Sequence, residues 1–207
     1  MKGLFLAMST TLFASQASAA HDAAAHLRGG AGADADALNI TAAAALFGDK
    51  LTSEEIGAAR DGLMTAANAL YANRAKEHYT EGSERWYGIT NHVKPPNAPL
   101  YSDCSSAATW VYWTIFGDGQ DFLNGESWSA GYTGTMVSHG TEIKLSSAQK
   151  GDLVFYGGVS DDGDSNGAPT HVAIYIGDDM VISHGEDPVD KVSVHYRSDI
   201  NQVRKYI

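Results

Sequence analysis

A single cysteine, Cys104, stands in this chain of 207 residues. No internal disulfide can form, so the fold must be held by buried apolar surface. With 43% hydrophobic residues the chain can supply a core, and its length suits one compact domain plus short accessory segments. The cysteine's surroundings narrow the choice further. It lies in Tyr101-Ser102-Asp103-Cys104-Ser105-Ser106, where loop gives way to the apolar run Ser105–Phe116, which reads as a buried helix. From Asp152 onward the pattern becomes that of strands: Leu153–Tyr156, His171–Ile176, Met180–His184 after a tight turn at Gly177-Asp178-Asp179, Val192–Tyr196 and Val203–Ile207. Helix first, then an antiparallel meander, is an α+β order.

Upstream, Thr52 and Glu55 have capping-box spacing, and Ile56, Leu63, Ala67, Leu70 and Tyr71 recur on one helical face. This predicts a packing helix within a helical segment, residues 51–80. Residues 85–101, with Pro95, Pro96 and Pro99, read as a loop, and Gly117–Thr141, rich in glycine and aromatics, as a long structured loop. Lys2, an apolar stretch from Gly3 to Ala14 and Ala17-Ser18-Ala19 form an export signal over residues 1–19. Residues 20–50, rich in Ala, Gly and Asp, read as a flexible leader. The mature chain is thus expected to be secreted, with no membrane attachment once the signal is removed.

A thiol at a helix N-terminus feels the positive end of the backbone dipole, which favours thiolate over thiol. Free N–H groups of the first turn can also hold an oxyanion. Such a nucleophile needs a base, and the base needs orienting. His171 opens the strand His-Val-Ala-Ile-Tyr-Ile, in which alternation puts His171, Ala173 and Tyr175 on one face. That face is expected to meet Cys104, while Val172, Ile174 and Ile176 pack inward. The hairpin return brings Ser183-His184 back beside His171, so one of these residues can hold the imidazole in its productive tautomer.

At these residues the sequence resembles the NlpC/P60 family of cell-wall peptidases, which have a papain-like fold. Asp103-Cys104-Ser105, Gly151-Asp152-Leu153-Val154-Phe155 and His171-Val172-Ala173-Ile174-Tyr175-Ile176-Gly177 match the family's three blocks in order. The likeness covers residues 85–207, the expected catalytic domain. It implies a papain-like α+β fold with the cysteine helix on a small antiparallel sheet. It also implies a secreted cysteine endopeptidase that hydrolyses peptidoglycan stem peptides, often between D-glutamate and the following diamino acid, without a cofactor. By the same resemblance Cys104 is the nucleophile and His171 the base. His184 is the choice for the third residue, although an ungapped match to the family's hairpin puts Ser183 there and a slightly longer turn at Asp178-Asp179 is needed to restore His184. Tyr87, with Tyr101 as rival, is the counterpart of an upstream tyrosine that reaches the site, and Tyr87, Asp103 and Ser105 are expected to contact substrate.

Net charge narrows the partners. At −11, with no dense basic stretch, the chain repels nucleic acid. Peptidoglycan or its fragments are the expected partner, and the chain is expected to be a monomer. Asp162, Asp164, Asn166 and Gly167 begin a calcium-loop pattern, but Ala173 stands where the closing glutamate belongs. Two other readings stay open: a catalytically silent peptidoglycan-binding module of the same fold, and a related CHAP-like amidase that cuts the sugar–peptide link or crossbridge.

Overall fold

The structure is a computed structural model that describes residues 51–117, 119–159 and 167–207. The expected export signal and leader, and the acidic loop through Asn166, lie outside the described residues. Helix α1 spans Ser53–Asn73 and begins with both bonds of a capping box: Thr52 Oγ1 accepts from the Glu55 N–H (3.2 Å) and Glu55 Oε2 from the Thr52 N–H (2.7 Å). It buries Ala59, Leu63, Ala66, Ala67, Ala69 and Leu70. A short parallel pair, β1 (His78–Tyr79) with β2 (Tyr101–Ser102), follows. Between them the expected loop contains a 3-10 turn over Ser83–Trp86 and a one-turn helix α2, Tyr87–Thr90. Helix α3 runs from Cys104 to Phe116, and all of its residues are buried.

The long glycine-rich segment holds one further turn of helix, α4 (Thr133–Met136). After it come six strands: β3 (Thr141–Ile143), β4 (Leu153–Tyr156), β5 (His171–Gly177), β6 (Met180–Ser183), β7 (Asp190–Ser193) and β8 (Ile200–Lys205). They form one sheet in the order β3-β8-β4-β5-β6-β7, antiparallel throughout. The last two strands start and stop earlier than their apolar runs suggest. Residues 194–196 leave β7 for a turn, because the Val194 N–H bonds to the Asp179 carbonyl (2.7 Å) and the Tyr196 N–H to that of Ser193 (2.9 Å).

The sheet carries two apolar faces. Leu153, Phe155, Val172, Ile174 and Ile182 pack with α1 and α3 into the main core. Val154, Tyr156, Ala173, Tyr175, Val181, Val194 and Val203 form a second cluster. Helix α1 is locked to the sheet at one point. Arg60 reaches Asp152 Oδ1 (2.9 Å) and the Lys150 carbonyl (2.6 Å), while Tyr112 of α3 donates to the Gly151 carbonyl (2.8 Å). Gly151 has φ +96°, and a Cβ there would lie 2.8 Å from Leu63 Cδ1, so both backbone and space demand glycine. Leu63 is fully buried at that junction. Leu63→Ala is expected to cost about 2–5 kcal/mol of stability, read as a lower urea midpoint at unchanged slope.

Candidate active site

Cys104 is the first residue of α3, and Asp103 is its N-cap. The Asp103 carboxylate accepts from the Ser106 N–H (2.6 Å) and the Ser105 hydroxyl (2.9 Å), and pairs with Arg85 Nη1 (2.8 Å). Arg85 Nη2 also donates to the Gly131 carbonyl (3.1 Å), tying the loop before α4 to the start of α3. From that loop Thr133 brings its hydroxyl to 3.7 Å from Cys104 Sγ. The backbone N–H of Val172, the residue after His171, also donates to the sulfur. Cys104 itself belongs to the main core beside Val172 and Ile174. The helix therefore packs on the aliphatic face of β5 rather than on the His171 face expected from alternation. The sulfur meets the strand at its first peptide, next to His171.

His171 is buried, and its Nε2 lies 2.8 Å from the Ser183 hydroxyl. Ser183 Oγ is in turn 3.0 Å from the Tyr196 hydroxyl. His184, expected as the third residue, is instead on the other side of the sheet. The reason is a single residue of register. Asp178 and Asp179 both have positive φ, as a two-residue type I′ hairpin turn requires, and Gly177 pairs with Met180. Tyr175 pairs with Val181, which leaves Ile176 as an extra residue on β5. Without that bulge Ala173 would pair with His184; with it Ala173 pairs with Ser183, and His171 shares their face.

His184 enters a second buried network. Its Nδ1 lies 2.9 Å from Ser102 Oγ, which donates a short hydrogen bond to Glu77 Oε1. Its Nε2 is 3.5 Å from Asp187 Oδ1, and Tyr79 packs edge-on against its ring. Asp187 also accepts from the Tyr79 N–H (2.6 Å). The segment before the loop is thereby fastened to the end of β6. Burial first, then the bond to Glu81, raises the Tyr79 hydroxyl, and Cys104 is among the groups that act on it. Tyr87 lies in α2 against exposed Tyr101, ring centroids 6.1 Å apart. No apolar periodicity marks the two-residue strand His78–Tyr79, so no pattern in the residues announces it. Asp103 and Ser105, expected to touch substrate, are both buried and bonded to each other and to the helix start. Among the described residues no group of three or more His, Cys, Asp or Glu is arranged to hold a metal ion.

The sequence profile of the NlpC/P60 family matches residues 85–204. The chain belongs to the NlpC/P60 family. With the family comes the papain-like α+β fold, and its members are typically peptidoglycan hydrolases. Among solved structures the chain is similar to the NlpC/p60 domain of the peptidoglycan hydrolase SagA, at 23% identity and TM-score 0.47, covering 70% of this chain and 98% of that one. It is also similar to NlpC1 of Trichomonas vaginalis, at 21% identity and TM-score 0.44, covering 70% of this chain and 44% of that one. A third is RipD of Mycobacterium tuberculosis, described as a non-catalytic NlpC/p60 domain protein adapted to peptidoglycan binding. It matches at 19% identity and TM-score 0.41, covering 69% of this chain and 98% of that one. No curated protein matches the chain.

Electrostatics in this NlpC/P60 site run against charge at rest. The position at a helix start suggests a lowered thiol pKa, but Cys104 is only 8% exposed. Burial pushes its thiol up and the Asp103 carboxylate adds to this. The Val172 N–H, the Thr133 hydroxyl and the Ser105 N–H pull it down by less. Burial first, then the Arg197 charge, brings His171 down to about 4. The resting pair is therefore thiol and neutral imidazole. A thiolate absorbance titration, corrected with Cys104→Ala, is expected to show a midpoint above the ordinary thiol value of 9.0.

Glu77 behaves in the opposite sense. Burial raises its carboxyl to about 7 from the ordinary value of 4.5; the Ser102 bond opposes this and the Asp187 charge adds to it. The folded chain then holds this proton more tightly than the unfolded chain. Its contribution to stability is complete below about pH 4.5 and is lost as pH rises through about 7. Glu77→Gln cannot ionise, so its stability relative to the parent is expected to be higher at about pH 8 than at about pH 5, measured by urea unfolding at both.

Proposed function

We propose that this chain is a cysteine endopeptidase acting on the stem peptides of peptidoglycan, with Cys104 as nucleophile, His171 as base and Ser183 holding the imidazole. The observation that carries this reading is the meeting of the sulfur with the first peptide of β5 beside His171, while Ser183 occupies the ring's Nε2. That bond leaves Nδ1 for the thiol proton.

The chemistry follows from an uncharged resting pair. As the sulfur attacks the amide carbon, His171 takes the thiol proton, so thiolate character and imidazolium develop together. In the first turn of α3 the Ser106 N–H is bound to the Asp103 carboxylate and the Ala107 N–H to the Asp103 carbonyl (2.9 Å). The N–H group of Cys104 remains to hold the carbonyl oxygen as it becomes negative. His171 then gives its proton to the departing amine, and water activated by the same ring hydrolyses the thioester. The bond cut is that between D-glutamate and the following diamino acid. Secretion, read from residues 1–19, would bring the enzyme to such a substrate outside the cell.

A second reading has specific support. The burial of Cys104, with a hydroxyl rather than a ring or amide beside His171, favours a module that binds peptidoglycan without cutting it. Mass spectrometry of muropeptides incubated with the protein separates the two. Fragments ending at D-glutamate are expected with the parent and absent with Cys104→Ala; intact muropeptides with both proteins would sink the peptidase reading. Ser183→Ala is expected to slow cleavage about tenfold, the effect of an orienting hydrogen bond of roughly 1.4 kcal/mol.

A further inference from the structure

A serine hydroxyl is an ambiguous partner for a histidine. It can accept from Nε2–H, which leaves Nδ1 as a base, or donate to Nε2, which leaves Nδ1 protonated and useless for accepting a proton. An amide carbonyl or a carboxylate in that place would only accept. Once His171 has taken the thiol proton the ambiguity disappears, since both ring nitrogens then donate and Ser183 must accept. Its own hydrogen then needs another acceptor, and Ser183 is buried. The other group beside its oxygen is the Tyr196 hydroxyl, at 3.0 Å.

Tyr196 is held for this task. It follows the turn that leaves β7, where buried Val194 accepts from the Tyr156 hydroxyl (2.9 Å). Its ring stands edge-on to Tyr156, centroids 5.3 Å apart, and to His171 at 6.5 Å. It is 41% exposed, so its own proton can be given to water. We infer that Tyr196 is a positioning residue, whose phenol oxygen accepts the Ser183 hydrogen and so commits Ser183 to accept from His171, completing a Tyr196–Ser183–His171 chain. This inference rests on the role proposed above for Ser183. No bond to carbon changes in the step: one hydroxyl hydrogen turns toward Tyr196 as one N–H turns toward Ser183.

The other groups acting on His171 are Arg197 and Asp199 between β7 and β8, His184 just after β6, Asp103 at the start of α3 and the Tyr156 ring on β4. None of these stands at the Ser183 hydroxyl, so a double-mutant cycle isolates Tyr196. Tyr196→Phe keeps the ring contacts and removes one oxygen. Its muropeptide kcat is expected to fall about three- to tenfold with KM unchanged, and adding it to Ser183→Ala is expected to cost nothing further. Alkylation of Cys104 by iodoacetamide across pH needs no substrate, and its profile in Tyr196→Phe is expected to move as it does in Ser183→Ala. Parent rates and profile in Tyr196→Phe, with Ser183→Ala impaired, would overturn the inference and leave the Ser183 role intact. Additive losses in the double variant would overturn the route through Ser183. An unimpaired Ser183→Ala would instead sink the underlying assignment.

Discussion

The carboxylate of Asp103 decides where the sulfur is. By accepting from the Ser106 N–H and the Ser105 hydroxyl it defines the first turn of α3, and so the one position at which Cys104 can sit. Through Arg85 the same carboxylate holds the Gly131 carbonyl, and with it the loop that brings Thr133 to the thiol. The helix behind it is wholly buried and cannot shift without disturbing the main core. Removing this cap would free the helix start, the Arg85 bridge and the Thr133 contact together. Its closeness to the thiol has an electrostatic cost, because a negative charge there opposes thiolate. The Arg85 guanidinium, 2.8 Å from Asp103 Oδ2, partly offsets that charge.

On the histidine side the deciding feature is a parity. A two-residue turn alone would have paired Ala173 with His184 and brought that ring onto the His171 face. The one-residue bulge at Ile176 reverses the facing and puts Ser183 there. The displaced His184 links Ser102, two residues before Cys104, to Asp187 after β6 on the opposite face. Glu77 at the end of this chain has one carboxyl oxygen without a hydrogen-bond partner, which suits a carboxyl that keeps its proton to about pH 7.

Much of this could be read from the sequence, and the misses have physical causes. Capping boxes are local, so the start of α1 was legible from Thr52 and Glu55, and the start of α3 from the change of pattern at Cys104. Strands with continuous apolar runs, such as Leu153–Tyr156, were legible for the same reason. What the pattern could not carry was parity across a turn, since Ile176 is as good a strand residue in a bulge as out of one. Nor could it show that α3 would choose the aliphatic face of β5, a tertiary decision. His78–Tyr79 is a strand only because the Leu100 and Ser102 carbonyls accept from the His78 and Thr80 N–H groups, 2.9 Å each, far along the chain. The packing of Tyr79 against His184 was therefore invisible, and Tyr196 was read as a strand end when it is the corner of a turn.

The uncharged resting pair and the hydroxyl chain belong together. A carboxylate beside His171 would raise the imidazole's basicity and favour a charged pair before any substrate arrives. Ser183 and Tyr196 carry no charge, and burial keeps His171 at about 4. Charge in such a site forms mainly when bond-making forces it to, and the groups that stabilise it are already in place: the Val172 N–H and Thr133 hydroxyl at the sulfur, and the hydroxyl chain at the ring. Donors and acceptors fixed around a neutral ground state stabilise a charged transition state selectively, because they gain little until the charge appears. In the proposed peptidase, the same burial that opposes the Cys104 thiolate would tie its attack to a bound carbonyl, the condition for a thiol that reacts with its substrate and little else.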